Sequence, residues 1–130
     1  MTYVGIVLVS HSEKVTDGLK EIIREVIEDV PVESAGGMED GLIGTSVDKI
    51  TTAIRQADQG RGVLIFYDLG SAKMNTDLAI ELADLQEEVE LVEAPLIEGA
   101  YVGAVEASIG RDMTEILASI HASFPKIEIG

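Results

Sequence analysis

His11 is the residue on which chemistry can be built. It stands between Ser10 and Ser12, directly after the aliphatic run Gly5-Ile6-Val7-Leu8-Val9. A buried strand that ends abruptly in Ser-His-Ser delivers one imidazole to the surface at its tip. A neutral imidazole attacks phosphorus through a free lone pair on one ring nitrogen. The other nitrogen must then carry the proton and be held by an acceptor. Asp68 is the candidate for that acceptor, because it follows the second strong apolar run, Val63-Leu64-Ile65-Phe66-Tyr67. It would fix the tautomer and stabilise the cation that forms with the N–P bond.

An incoming phosphoryl group brings oxygens that need donors. Backbone N–H groups at helix starts can supply them. The candidate positions are Ser12, Thr45 and Ser46, Gly70 and Ser71, and Gly99, joined by Gly37 in the glycine pair after the second strand. Several of these residues also have a purely structural reading. Ser12, Thr45 and Ser46 are suited to helix capping, Gly36-Gly37 to a turn, and Asp68 to a turn or cap. His121 lies near the end of the last helix and reads as a surface residue or a helix-dipole partner. Other named chemistries lack their signatures. There is no Gly-Lys-Ser/Thr phosphate loop, no Gly-x-Gly-x-x-Gly after a strand and no Gly-x-Ser-x-Gly elbow. Two histidines and no cysteine argue against a zinc site, so the expectation is no metal.

The elements that must position these residues follow from the apolar pattern. Residues 3–9 read as a fully buried strand. Val15, Leu19, Ile22, Ile23, Val26 and Ile27 then recur at helical steps until Pro31, with Ser12 as the expected N-cap. Residues 32–35 form a short second strand, and a polar loop follows over 38–44. A second helix carries Val47, Ile50, Ala53, Ile54 and Ala57 inward. After the third strand, at 63–67, a third helix is expected to bury Met74, Leu78, Leu82 and Leu85, with Asp77, Glu81 and Asp84 outward. Residues 89–92 are the fourth strand. The last helical region has a small-residue face, Ala100, Ala104, Ala107 and Ser108, and is broken near Gly110 before Met113, Ile116, Leu117 and Ile120. The tail, with Ile127 and Ile129, alternates weakly and suggests a short extra edge strand at the C-terminus.

Strand and helix alternate four times, which predicts an α/β fold with a doubly wound, mainly parallel four-stranded sheet flanked by helices. The simplest order is 2-1-3-4. It sets strands one and three side by side, with their following helices on opposite faces. Ligands bind at that switch point, at the carboxyl ends of the strands. His11 and Asp68 then face each other across one crevice.

Composition bounds the function class. The 130 residues fit one domain spanning 1–130. They carry 24 acidic against 9 basic side chains, a formal net charge of −15. Such a surface repels phosphate backbones and anionic lipid, so neither nucleic acid nor membrane is an expected partner. No apolar run approaches a membrane span and no signal peptide is evident, which makes the cytoplasm the expected location.

Five segments then point to a family. They are GIVLVSHS from Gly5, Ala35-Gly36-Gly37, Gly44-Thr45-Ser46, Tyr67-Asp68-Leu69-Gly70-Ser71-Ala72 and Ala94-Pro95-Leu96-Ile97-Glu98-Gly99-Ala100. Together, in this order, they resemble the phosphotransfer subunits of phosphotransferase-dependent dihydroxyacetone kinases, relatives of the mannose-type enzyme IIA domains. The resemblance covers essentially the whole chain. It implies that His11 is phosphorylated by the phosphocarrier HPr and passes the group to ADP held on the nucleotide-binding kinase subunit. The ATP so formed phosphorylates dihydroxyacetone (glycerone) on a third subunit. Asp68 matches the aspartate that orients the histidine in mannose-type relatives. No permanently bound cofactor is implied, only the phosphoryl group carried on His11. The relatives commonly form homodimers. Some also carry HPr-like and enzyme I-like domains, which this chain, ending at Gly130, would need as separate proteins.

Two other readings stay open on the residues alone. One is a receiver-like signalling domain phosphorylated on Asp68, although Ser10-His11-Ser12 stands where a receiver needs an acidic pair. The other is a non-catalytic interaction domain that keeps only the shape.

Overall fold

The computed structural model describes residues 1–125. Four strands, β1 (Gly5–Val9), β2 (Val32–Ser34), β3 (Val63–Tyr67) and β4 (Val89–Val92), form one sheet. Its order is β2-β1-β3-β4 and every pairing is parallel, as the alternating pattern predicts. Five helices connect and cover it: α1 (Glu13–Arg24), α2 (Val47–Ala57), α3 (Lys73–Ala83), α4 (Leu96–Ser108) and α5 (Met113–Ser123). The proposed tail strand at Ile127 and Ile129 lies outside the described residues.

β1 and β3 are apolar without interruption because both of their faces are covered. Ile6, Leu8, Leu64 and Phe66 point into one core with Leu19 and Ile23 of α1, Ala104 of α4 and Ile116 of α5. Val7, Val9, Val63 and Ile65 point into the other core, with Ile50 and Ile54 of α2 and Ala79 and Ala83 of α3. The helices after β1 and β3 therefore lie on opposite faces, and the switch point falls between these two strands. Phe66 is fully buried. Burying a side chain of that size contributes about 1.5–3 kcal/mol. Gly103 makes room for it: a Cβ there would stand 2.9 Å from Phe66 Cζ.

Two helical faces differ from expectation. In α3 the buried side chains are Thr76, Ala79 and Ala83, whereas Met74 is 81% exposed and Leu78 and Leu82 are about half exposed. Of the expected inward stripe, Met74, Leu78 and Leu82 thus face outward, and Leu85 alone packs, partly buried, against the core. Thr76, Ala79 and Ala83 recur at the same helical steps, and their small size lets α3 approach α2 closely. The segment formed by α1 and the turn after it shows a milder version. Leu19, Ile23 and Ile27 are buried, while Val15, Ile22 and Val26 are exposed. The break between α4 and α5 is where Gly110 was expected to put it. Its φ of 84° suits glycine, and a capping box between Asp112 and Glu115 starts α5. Among the described residues no helix is long and apolar enough to cross a membrane.

Candidate functional site

The sheet register builds the site. Val9 pairs with Tyr67, so the next residues, Ser10 and Asp68, stand side by side where β1 and β3 end. Strand alternation turns both toward the same face. The Ser10 hydroxyl donates to Asp68 Oδ2 at 2.8 Å, and the His11 backbone N–H donates to the same oxygen at 3.0 Å. Leu69 N–H donates to Oδ1 at 2.7 Å. The His11 ring completes the set, with Nδ1 at 3.1 Å from Oδ1 and 3.3 Å from Oδ2. The two side chains are 23% and 22% exposed, sheltered but open to solvent.

Burial pushes the Asp68 carboxyl up. Hydrogen bonds from His11 N–H, the Ser10 hydroxyl, the His11 ring and Leu69 N–H outweigh that push, and the group titrates below its ordinary value. Asp68 is therefore ionised at neutral pH and can only accept. The tautomer follows from this hydrogen-bond pattern: Nδ1 carries the proton and Nε2 the lone pair. Nε2 lies 2.9 Å from the Ser71 hydroxyl, which is its donor in this arrangement.

Apart from Gly99, the candidate phosphate-binding positions divide into two groups. Gly70 and Ser71 are exposed and open a 3-10 turn, Gly70–Ala72, that leads into α3 beside the His11 ring. As the first two residues of a helical turn, their N–H groups have no intrahelical partner. The other four have partners inside the protein. Ser12 sits at the N-cap of α1 without a side-chain cap, and its N–H donates to Ser10 Oγ at 3.0 Å. Gly37 N–H donates to the Ser10 carbonyl at 2.9 Å. Thr45 Oγ1 accepts from Asn75 Nδ2 at 2.7 Å. Ser46 Oγ caps α2 by accepting from Lys49 N–H, and donates to Glu39. The loop that carries these residues is still tied to the histidine, because Gly44 N–H donates to the His11 carbonyl at 2.8 Å.

Gly36 has a clear steric role. A Cβ there would collide with Thr16 Oγ1 and the Ser12 carbonyl, so only glycine fits between β2 and the start of α1. Lys49 Nζ holds the Gly36 carbonyl at 2.5 Å and Glu13 at 3.5 Å. Gly99 lies in the first turn of α4 and is buried. His121 is exposed in the last turn of α5, close enough to act on Glu90 near the start of β4, the opposite end of the sheet from His11. Among the described residues no cluster of three or more His, Asp or Glu side chains is arranged to hold a metal ion.

Sequence reasoning treated Ser10 only as a flank of His11. Its signal was its place: the first residue after a buried strand, 1% exposed, beside a carboxylate. Asn75 and Lys49 gave no comparable signal, since their partners lie 30 and 13 residues away in the chain.

Comparison with known proteins agrees with the family read from the motifs. The family model described as the PTS system fructose IIA component, EIIA-man, matches residues 5–117. The phosphotransferase subunit DhaM of the PTS-dependent dihydroxyacetone kinase of Lactococcus lactis is 46% identical over 110 residues, covering 85% of this chain and 86% of its own. The phosphoryl donor subunit DhaM of PEP-dependent dihydroxyacetone kinase 1 from Listeria innocua is 41% identical over 116 residues, covering 89% and 91%. The crystal structure of EF1359, a protein described as of unknown function, superposes with a TM-score of 0.82 at 42% identity, covering 93% and 94%. The chain therefore belongs to the EIIA-man family, among the phosphotransferase subunits of PTS-dependent dihydroxyacetone kinases.

Proposed function

We propose that this protein is a phosphohistidine carrier that accepts a phosphoryl group from HPr on His11 Nε2 and passes it to ADP bound on the nucleotide-binding subunit of dihydroxyacetone kinase. The observation that carries this reading is the 3.1 Å contact between His11 Nδ1 and a fully hydrogen-bonded Asp68. It leaves Nε2 as the nucleophile. The Nε2 lone pair attacks phosphorus as the bond to HPr breaks, and the ring becomes a cation facing Asp68. In the second step a terminal oxygen of ADP attacks the same phosphorus, the N–P bond breaks, and ATP forms. That ATP serves dihydroxyacetone phosphorylation.

Ser71 has two duties in this scheme. In the resting state its hydroxyl shields the Nε2 lone pair. On arrival of the phosphoryl group it turns to donate to a phosphoryl oxygen, joined by the N–H groups of Gly70 and Ser71. Little else is needed, because phosphoryl transfer depends mainly on positioning and charge stabilisation. Partial exposure of the ring lets two partners reach it in turn. The net charge of −15 favours encounter with a basic face on HPr, at a rate that falls with added salt. The same reading makes the protein cytoplasmic, a homodimer like its relatives, and free of a permanent cofactor. It leaves no role for Asp68 as a phosphoryl acceptor, since every lone-pair direction of that carboxylate is occupied.

The test is reconstitution. Phosphoenolpyruvate, enzyme I and HPr should label the protein, and the ADP-loaded kinase subunit should remove the label. His11→Gln should take up none. Full labelling of that variant would overturn the proposal.

A further inference from the structure

We infer that Ser10 is a positioning residue for phosphoryl transfer, fixing the tautomer of His11 by way of Asp68. The inference rests on the reading of His11 as the phosphoryl acceptor. Ser10 is 1% exposed, and its hydroxyl bonds Asp68 and the Ser12 N–H rather than the ring. Its hydroxyl joins two groups that cannot exchange roles. Ser12 N–H can only donate, and it occupies a lone pair of Ser10 Oγ at 3.0 Å. The single hydroxyl proton is thereby directed to Asp68 Oδ2 at 2.8 Å.

The consequences run along the chain of bonds. Oδ2 now receives two donors, Ser10 O–H and His11 N–H, so a proton on that oxygen has no room. Oδ1 receives Leu69 N–H, and its remaining lone pair faces the ring. The carboxylate can neither turn nor take up a proton without losing a bond. His11 Nδ1 must then donate, which leaves the lone pair on Nε2, the outward nitrogen. A backbone amide at the start of α1, which never reverses, thus sets the direction of the whole relay. The backbone of Ser10 is anchored as well, since its carbonyl accepts from Gly37 N–H at 2.9 Å.

Removing the hydroxyl frees one lone pair of Asp68 and strands Ser12 N–H. The carboxylate can then rotate or be protonated, and the ring can adopt the other tautomer. One hydrogen bond to a charged group corresponds to a rate loss of roughly tenfold to a hundredfold. The experiment uses the full chain labelled with 15N, in the His121→Gln background so that His11 gives the only imidazole signals. Long-range 1H–15N spectra report the tautomer, and quenched-flow labelling with HPr reports the rate. Ser10→Ala should show a mixed tautomer and the stated loss. Ser10→Thr, which keeps the hydroxyl, should restore both. An unchanged tautomer and rate in Ser10→Ala would overturn the inference. So would equal losses in the two variants, which would assign the effect to packing. If Ser10→Ala does not fold, Ser10→Cys, a near-isostere with only a weak donor, carries the same expectation. Failure of the parent protein to be labelled on His11 would be a different result, and would remove the carrier reading itself.

Discussion

Asp68→Asn is the substitution whose effect follows most directly from the site. The shape is kept, and one acceptor oxygen becomes an NH2 group. If that group takes the Oδ2 position, it meets the His11 backbone N–H, which has no other carboxylate oxygen at bonding distance. If it takes the Oδ1 position, it meets Leu69 N–H and donates to His11 Nδ1, which moves the ring proton to Nε2. The first outcome costs the charge that stabilises the imidazolium, a hydrogen bond worth about 1.5–3 kcal/mol, or roughly tenfold to a hundredfold in rate. The second removes the nucleophilic lone pair. An aspartate-to-asparagine change that imposes the wrong histidine tautomer lowers the rate of a serine protease by about 10⁴-fold. The expected loss in phosphoryl uptake lies between these limits, at about 10- to 10⁴-fold. Rapid-quench labelling with limiting phosphorylated HPr measures it, with the thermal melt as a check on folding. Uptake within about threefold of the parent, in a folded protein, would refute the orienting role of Asp68 and the tautomer argument with it.

Three further predictions concern stability. Because the folded carboxyl of Asp68 is depressed, the unfolded chain binds more protons between the two pKa values. The contribution of Asp68 is therefore complete above the ordinary value near about 4 and lost as pH falls through the folded value. Denaturant titrations of the parent and Asp68→Asn should differ by a constant amount above about pH 5 and converge in acid; a gap that widens in acid would contradict this. Gly36→Ala should cost about 1–3 kcal/mol through collision with Thr16 and the Ser12 carbonyl, and a loss below about 0.5 kcal/mol would show that the close approach is not needed. Met74→Ser and Leu82→Ser should each change stability by less than about 0.5 kcal/mol, whereas Ala79→Leu should cost about 1–3 kcal/mol. A loss of about 2–5 kcal/mol for Met74→Ser would restore that residue to the core.

The last comparison marks where the sequence was legible and where it was not. β1 and β3 are apolar on both faces, so length and flanking glycines identify them, and their tips locate His11 and Asp68 before any coordinates. The strand order follows from alternation and the switch-point rule. α3 defeated the same logic because two stripes have helical spacing. Hydropathy selects Met74, Leu78 and Leu82, but close packing against α2 and the sheet selects Thr76, Ala79 and Ala83. A helix on a crowded face buries its smallest side, and no one-dimensional scale encodes distance between layers. Ser10 was hidden for a different reason. A serine beside a histidine is unremarkable until the register aligns Val9 with Tyr67 and brings Asp68 within a hydrogen bond. Thr45 and Ser46 read first as helix caps, and a cap can also face a phosphate. Their bonds to Asn75 and Lys49 N–H depend on tertiary packing for the first and on local helix geometry for the second.

The most direct measurement is to find where the phosphoryl group resides. Protein phosphorylated through enzyme I and HPr, with 15N in its imidazoles, reports the bonded nitrogen through 15N–31P coupling, and alkaline digestion followed by mass mapping reports the residue. The account predicts one acid-labile, base-stable phosphoryl group per chain, on Nε2 of His11. A group bonded to Nδ1, or a base-labile acyl phosphate on Asp68, would contradict it.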